Sequence, residues 1–123
     1  MTLFRNKYPR YLNLRQMVYD AADKFDEKPY LKYIKSDNSV GEVTFKRFAE
    51  LMENLGTYFA MPENGCNRIA IISENRYEWV VAYVAAVAAG KTVIPLDKEL
   101  QFDQVEKFIE LAEADTLFYS ADF

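Results

Sequence analysis

The sequence predicts an α/β fold: parallel-sheet βαβ units in α/β/α layers, preceded by a helix and a β-hairpin. Three observations carry the prediction. Short β-rich runs at residues 68–73, 92–96 and 116–120 alternate with helical runs at 77–89 and 102–113. Strands separated by helices of that length read as two right-handed crossovers and a parallel sheet. Upstream, an amphipathic stretch is followed by two strand-like runs joined by turn residues. With four Gly and four Pro in 123 residues, no flexible linker divides the chain, and residues 1–123 read as a single domain.

Each element has its own reason. Leu14, Met17, Val18, Ala21, Ala22 and Phe25 recur at helical spacing. Asn13 precedes them with Gln16 three residues later, a capping-box arrangement. Pro29 closes that helix. Residues 30–35 are β-rich, Asp37-Asn38-Ser39 is turn chemistry, and Glu42-Val43 returns as a short strand. Thr44 caps the next helix, whose buried stripe is Phe45, Phe48, Leu51, Met52, Leu55 and Phe59. Gly56 sits inside it at a cost of about 1 kcal/mol against Ala. Pro62 and Gly65 end the element. Gly90 stops the 77–89 helix, and Pro95 falls near the end of its strand, where a missing N–H is tolerated. Phe102, Val105, Phe108, Ile109 and Ala112 form one side of the last helix.

The 77–89 helix is the most informative element. After Glu78 it shows no charged or strongly polar residue until Lys91. A helix apolar all round is expected to be buried all round. At about 25 cal/mol per Å² of apolar surface, an uncovered side forgoes several kcal/mol. Cover is therefore expected from the hairpin layer, from a second copy, or from further protein. The chain by itself is expected to associate or domain-swap, burying this helix.

Composition excludes several classes. The formal net charge is −4 and there is no histidine, so neither a His general base nor a His-ligated metal exists. One cysteine, Cys66, permits no internal disulfide, which points to a reducing compartment. Residues 1–7 contain no apolar h-region, so no signal peptide is expected. The longest apolar run, 79–89, is too short to cross a bilayer. A cytoplasmic or membrane-peripheral location is expected.

Charge is unevenly spread. Residues 1–15 carry Arg5, Lys7, Arg10 and Arg15 with no acid, interleaved with Phe4, Tyr8 and Tyr11. Residues 97–123 carry eight acids against Lys98 and Lys107. A basic aromatic arm suits nucleic acid or an anionic membrane. In a chain acidic overall, the expectation is instead a leader strapped across its own domain, with no nucleic-acid partner.

Few residues are candidates for chemistry. Asn75-Arg76-Tyr77-Glu78 marks a strand-to-helix junction at the carboxyl edge of the sheet, where α/β proteins bind ligands and a helix N-terminus favours anions. The competing reading is capping, with Asn75 as N-cap and Glu78 as its N3 partner. Asp97 and Lys98 carry the same ambiguity after the next strand, with turn roles expected. Gly41, Gly56, Gly65 and Gly90 are too far apart for a phosphate-cradling loop. Cys66 lies near Arg68, which would lower a thiol pKa; an unreactive thiol is the expectation. Asp103, Glu106, Glu110 and Glu113 have the spacing of a solvated face, with Asp103 and Lys107 at i,i+4. No residue is assigned a catalytic, cofactor-binding or metal role.

Four stretches carry a family resemblance: 14–33 (LRQMVYDAADKFDEKPYLKY), 43–56 (VTFKRFAELMENLG), 67–97 (NRIAIISENRYEWVVAYVAAVAAGKTVIPLD) and 115–120 (DTLFYS). In them the chain resembles the N-terminal portion of adenylate-forming enzymes, the AMP-binding acyl-CoA synthetase superfamily, nearest the long-chain fatty-acid–CoA ligase group. The third stretch is the most specific. Gln101 departs from the family, which commonly places a capping Thr there; Gln is a poor cap. The resemblance implies a two-step reaction in which a carboxylate attacks ATP to give an acyl-adenylate and pyrophosphate, and the thiol of CoA then displaces AMP. It implies fatty acid, ATP, Mg and CoA as substrates and cofactors of a full-length enzyme. The phosphate loop, nucleotide-binding motifs and catalytic Lys of the family lie further along, so no site residue carries over. Residues 1–123 are expected to be an inactive N-terminal fragment whose partner is the remainder of the same polypeptide. The alternatives are a stand-alone binding or assembly module of the same architecture, and the N-terminus of an amino-acid-adenylating enzyme that loads a carrier protein.

Overall fold

A computed structural model describes residues 9–122. Arg5 and Lys7 of the basic leader, with Phe4 and Tyr8, lie outside the described residues, as does Phe123. The elements run α1 (Leu14–Phe25), β1 (Pro29–Ile34), β2 (Val40–Thr44), α2 (Phe45–Ala60), a 3₁₀ turn (Pro62–Asn64), β3 (Arg68–Ile72), α3 (Tyr77–Ala88), β4 (Thr92–Pro95), α4 (Phe102–Leu111) and β5 (Thr116–Tyr119). β1 and β2 form an antiparallel hairpin, and β4-β3-β5 form a three-stranded parallel sheet. The α/β architecture read from the sequence is the one observed.

The first two caps form as their residues dictate. The Asn13 side chain accepts from the Gln16 N–H at 2.8 Å, and Gln16 Oε1 accepts from the Leu12 N–H. Thr44 Oγ1 accepts from the Arg47 N–H at 3.0 Å. Pro29 begins β1 rather than merely ending α1; the turn at Asp26, with φ 44°, separates the two. β2 starts at Val40, earlier than Glu42, because the Asp37–Ser39 turn is tight enough for Ile34 to pair with Val40. Gly65 and Gly90 close their elements with φ of 65° and 73°, a backbone region that favours glycine.

The core lies between the sheet and a helical layer. Ile69, Ala70 and Ile71 of the central strand are fully buried. α3 packs over β3 and β4, α2 packs along α3, and α1 closes over both helices. On α3, Val81, Ala82, Ala85 and Ala86 are buried, and no residue from Tyr77 to Ala89 is more than half-exposed. Cover comes from within the chain and is partial: α1, α2 and the sheet bury one side of α3, Tyr33 of the hairpin lies against Tyr77 with ring centroids 4.8 Å apart, and the expected burial all round gives way to half-burial at Trp79, Val80, Tyr83, Val84 and Val87. Small side chains make this possible. Alanines at 82, 85 and 86 let α2 come close enough that a Cβ on Gly56 would sit 3.4 Å from the Ala85 carbonyl oxygen.

The opposite face of the sheet is thinly covered. α4 lies there and has no buried residue. Leu117 and Tyr119, alternating with Phe118 on β5, point to the α4 side. Phe102 is 78% exposed and Tyr119 57%. Large exposed apolar side chains thus gather at α4 and β5, and also at Leu12 and in the hairpin at Ile34 and Val40, while none lies on α3.

Candidate functional site

The carboxyl edge of the parallel sheet is built from the loop after β3, the loop after β4 and the residues after β5. In α/β folds this edge receives ligands. Here the β3–α3 loop dominates it. Ser120, buried at the end of β5, donates through Oγ to Glu74 Oε2 at 2.5 Å. Arg76 Nη1 donates to Glu74 Oε1 at 2.9 Å, and Arg76 Nε and Nη2 grip Glu78 at 2.9 and 3.1 Å. One guanidinium therefore joins two carboxylates, and the first of these is tied to the neighbouring strand.

The electrostatics follow the geometry. The Ser120 hydroxyl, with help from the local backbone and Arg76, holds the Glu74 carboxyl below its ordinary value. Burial pushes Glu78 up, but the Arg76 hydrogen bonds, a backbone N–H and the Arg76 charge outweigh it, and the carboxyl titrates low. The two carboxylates keep Arg76 protonated at any ordinary pH. Burial raises the Tyr77 phenol, and the Glu78 charge adds to this. Between this loop and the hairpin lies an open cleft of about 960 Å³, floored by Leu31, Tyr33, Tyr77 and Val80 and edged by Lys35 and Arg76.

The expected cap is corrected here. Arg76, not Asn75, is the N-cap of α3, and no side chain caps it. Glu78 therefore stands at N2 rather than N3, and Asn75 is exposed. The reason is the bend at Glu74 and Asn75: with Glu74 drawn to Ser120, the chain spends Asn75 on the turn and enters the helix one residue later. Three donors of Arg76 are spent on two carboxylates, which would compete with an incoming anion.

The remaining candidates fall to structural roles. Asp97 Oδ1 accepts from the Glu99 N–H at 2.9 Å, which makes Asp97 a turn residue, and Lys98 is exposed. Cys66 is buried with Sγ 3.5 Å from the Asn64 carbonyl. Arg68 donates through Nε to the Ala112 carbonyl at 2.6 Å. Asp103, Glu106, Glu110 and Glu113 are exposed, as a solvated face requires. Asp103 and Lys107, both exposed, do not close an ion pair. At Gln101 the expected poor cap is compensated: Gln104 Oε1 accepts from the Gln101 N–H at 2.9 Å.

Arg15 lies over the Tyr19 ring at 5.6 Å, and Tyr11 donates to Asp20 at 2.6 Å. The described part of the leader is thus tied to α1, not to the acidic stretch. Glu74, Ser120, Tyr33 and Asp115 were not singled out from sequence. Asp115 binds the start of β3, accepting from the Asn67 and Arg68 N–H groups and from Thr116 Oγ1 at 2.8 Å. These partners lie more than forty positions apart, so no local pattern marks them.

A family model described as AMP-binding enzyme matches residues 18–122. No curated protein matches the chain. Solved structures do match. The N-terminal subdomain of NpsA from Klebsiella oxytoca, in complex with anthranilyl-AMSN, is 15% identical with a TM-score of 0.74, over 89% of this chain and 28% of that one. The N-terminal domain of FACL13 from Mycobacterium tuberculosis is 18% identical with a TM-score of 0.72, over 89% and 27%. The fatty acid AMP ligase from Legionella pneumophila is 14% identical with a TM-score of 0.74, over 95% and 21%. At these identities the likeness is one of fold. The chain spans between 21% and 28% of the length of these solved chains.

Proposed function

The chain belongs to the AMP-binding enzyme family, and from that premise we propose that it is the N-terminal part of a long-chain fatty-acid–CoA ligase that is inactive by itself. In that enzyme a fatty carboxylate attacks ATP, pyrophosphate leaves, and the CoA thiol displaces AMP from the acyl-adenylate. The observation that carries the reading is the family match across residues 18–122, on a chain spanning about a quarter of the length of the matching structures. The motif order in residues 67–97 and the likeness to a fatty acid AMP ligase support the acyl substrate. The cytoplasm is the location that goes with this reading.

The described residues do not fit ATP, Mg or CoA. Arg76 is engaged by two carboxylates, the glycines are scattered, and the described residues contain no cluster of carboxylates, Cys or His with metal-ligand geometry. No catalytic step is assigned to this chain. Its part is to supply the parallel sheet and helical layer on which the rest of such an enzyme would be built.

NpsA matches as well as the fatty acid AMP ligase does, with the same TM-score, which favours a second reading: adenylation of an aryl or amino acid. One experiment separates the readings. The coding frame is extended past Phe123, the longer product is purified, and acid-dependent pyrophosphate release is measured across fatty, aryl and amino acids. Release with long-chain fatty acids and consumption of CoA supports the ligase. Release with aryl or amino acids alone supports the second reading. A stop codon directly after Phe123 overturns both and leaves a binding or assembly module.

A further inference from the structure

One dipeptide in this chain is chemically labile, and the fold holds it closed. In Asn-Gly the glycine has no side chain to hinder its backbone nitrogen, and it has the widest backbone freedom. That nitrogen can attack the preceding side-chain amide. Asn64-Gly65 is the one such pair in the sequence. It lies in the 3₁₀ turn that joins α2 to β3. Each residue has a structural reason to be there. Gly65 ends the turn with φ 65°, and a Cβ there would meet nothing, so backbone conformation rather than space calls for glycine. Asn64 donates through Nδ2 at 2.8 Å to the carbonyl of Tyr58, in the last turn of α2, where carbonyls lack helical partners.

The same bonds block cyclisation. The Gly65 N–H is spent on the Pro62 carbonyl at 3.1 Å, and the Asn64 amide on Tyr58. The Gly65 carbonyl accepts from Asn67 Nδ2 at 3.4 Å, and the Asn64 carbonyl from Cys66 Sγ at 3.5 Å. Attack on Asn64 Cγ needs the first two of these bonds broken together. Met61, Pro62, Glu63 and Gly65 are exposed, so solvent reaches the pair once the turn opens.

We propose that Asn64 is a modification site gated by folding: inert in the closed turn, and converted to aspartate or isoaspartate when the turn opens. The Gly65 nitrogen gives its proton to solvent base and bonds to Asn64 Cγ. The Cγ–Nδ2 bond breaks, and ammonia leaves with a proton from solvent. Water then opens the cyclic imide at one of its two carbonyls. One opening leaves an aspartyl peptide; the other leaves an isoaspartyl peptide, whose main chain runs through the β-carbon. Nothing is oxidised or reduced, and water is the only co-reactant. Either product disfavours return to the fold. An aspartyl side chain has no N–H for the Tyr58 carbonyl and sets a negative charge at the negative end of α2. The isoaspartyl link adds a methylene to the main chain just before Cys66, which is buried at the entry to β3. Prolonged opening of this turn thus leaves a permanent mark that weakens it.

The test incubates the 123-residue chain at mildly alkaline pH, folded in buffer and unfolded in guanidinium chloride. Peptide mass spectrometry follows residue 64, and an isoaspartyl-specific methyltransferase scores the rearranged product. Conversion should be slower in the folded chain by at least about tenfold, because only the open fraction reacts. Equal rates in the two states overturn the gating, and an unfolded chain that does not convert overturns the lability. Asn64→Asp and Asn64→Ala, in an exposed turn, should both fold, as checked by circular dichroism. Asn64→Asp should lower the melting temperature by about 5 °C. Asn64→Ala loses the hydrogen bond without adding charge and should lower it less. An Asn64→Asp chain as stable as the parent, or no less stable than Asn64→Ala, overturns the effect assigned to the product.

Discussion

Replacing Gly56 by alanine should raise stability by about 0.5–1 kcal/mol. Gly56 lies in the interior of the sixteen-residue helix α2, where glycine is worse than alanine by about 1 kcal/mol, partly through the entropy of the unfolded chain. The opposing effect is steric. A Cβ at this position would lie 3.4 Å from the Ala85 carbonyl oxygen of α3, an ordinary van der Waals contact. Propensity therefore wins for alanine. It loses for valine, whose two extra methyls have to enter the same α2–α3 contact; overpacking of that kind costs about 1–3 kcal/mol. Urea unfolding followed by circular dichroism reads both changes. At about 2.1 cal/mol/K per residue, 1 kcal/mol shifts the melting temperature of a chain this size by about 4 °C. A destabilised Gly56→Ala, or a Gly56→Val as stable as the parent, would refute the packing argument.

Further predictions concern the core, the hairpin and acid stability. Met52→Ala, at a site 1% exposed, should lower the urea-derived stability by about 3 kcal/mol. Gly41→Ala should displace Tyr33, whose ring a Cβ there would overlap; loss of the Tyr33–Tyr77 contact should appear as a change in near-UV circular dichroism. Glu74 titrates below its ordinary 4.5 and Asp115 below 3.8. Depressed carboxyls give stability that is complete above those ordinary values and is lost as pH falls through the lower folded ones. Acid titration of the melting temperature should therefore show a decline below about pH 4.5 that is shallower in Glu74→Gln, whose side chain cannot titrate.

The periodic parts of this fold were legible from sequence and the non-local parts were not. Leu14 through Phe25 and Phe45 through Phe59 announce their helices because their apolar residues must share one face. The run from Arg68 to Ile72 announces a central strand because both of its faces are apolar. The apolar rod after Trp79 signalled more cover than the chain provides: Val81, Ala82, Ala85 and Ala86 are buried, while Trp79, Val80, Tyr83, Val84 and Val87 are half-buried. What supplies that cover, α1 and α2, depends on the approach of Gly56 to the Ala85 carbonyl, a pairing between positions nearly thirty apart. The junction at Asn75 was misread by one residue for the same reason. Asn is the better cap by local chemistry, but Ser120 draws Glu74 across from β5, and a contact forty-six positions away overrides a preference of about 1 kcal/mol.

The same junction shows how protein contacts take up a place that the fold offers to a ligand. An arginine at a helix N-terminus on the carboxyl edge of a parallel sheet has the right sign and place for a phosphate. In space, its single positive charge is matched against two carboxylates within 3.1 Å. A phosphate arriving there would have to displace both, against donors already in good hydrogen-bond geometry and against the repulsion of Glu74 and Glu78 themselves. Charge reversal at one carboxylate would not free the site, because Ser120 anchors Glu74 independently of Arg76. The cluster is best understood as a brace that fixes the exit of β3 against the end of β5. A nucleotide handled by a longer enzyme would need its donors from other residues, in keeping with a sequence whose resemblance places the phosphate loop further along the chain.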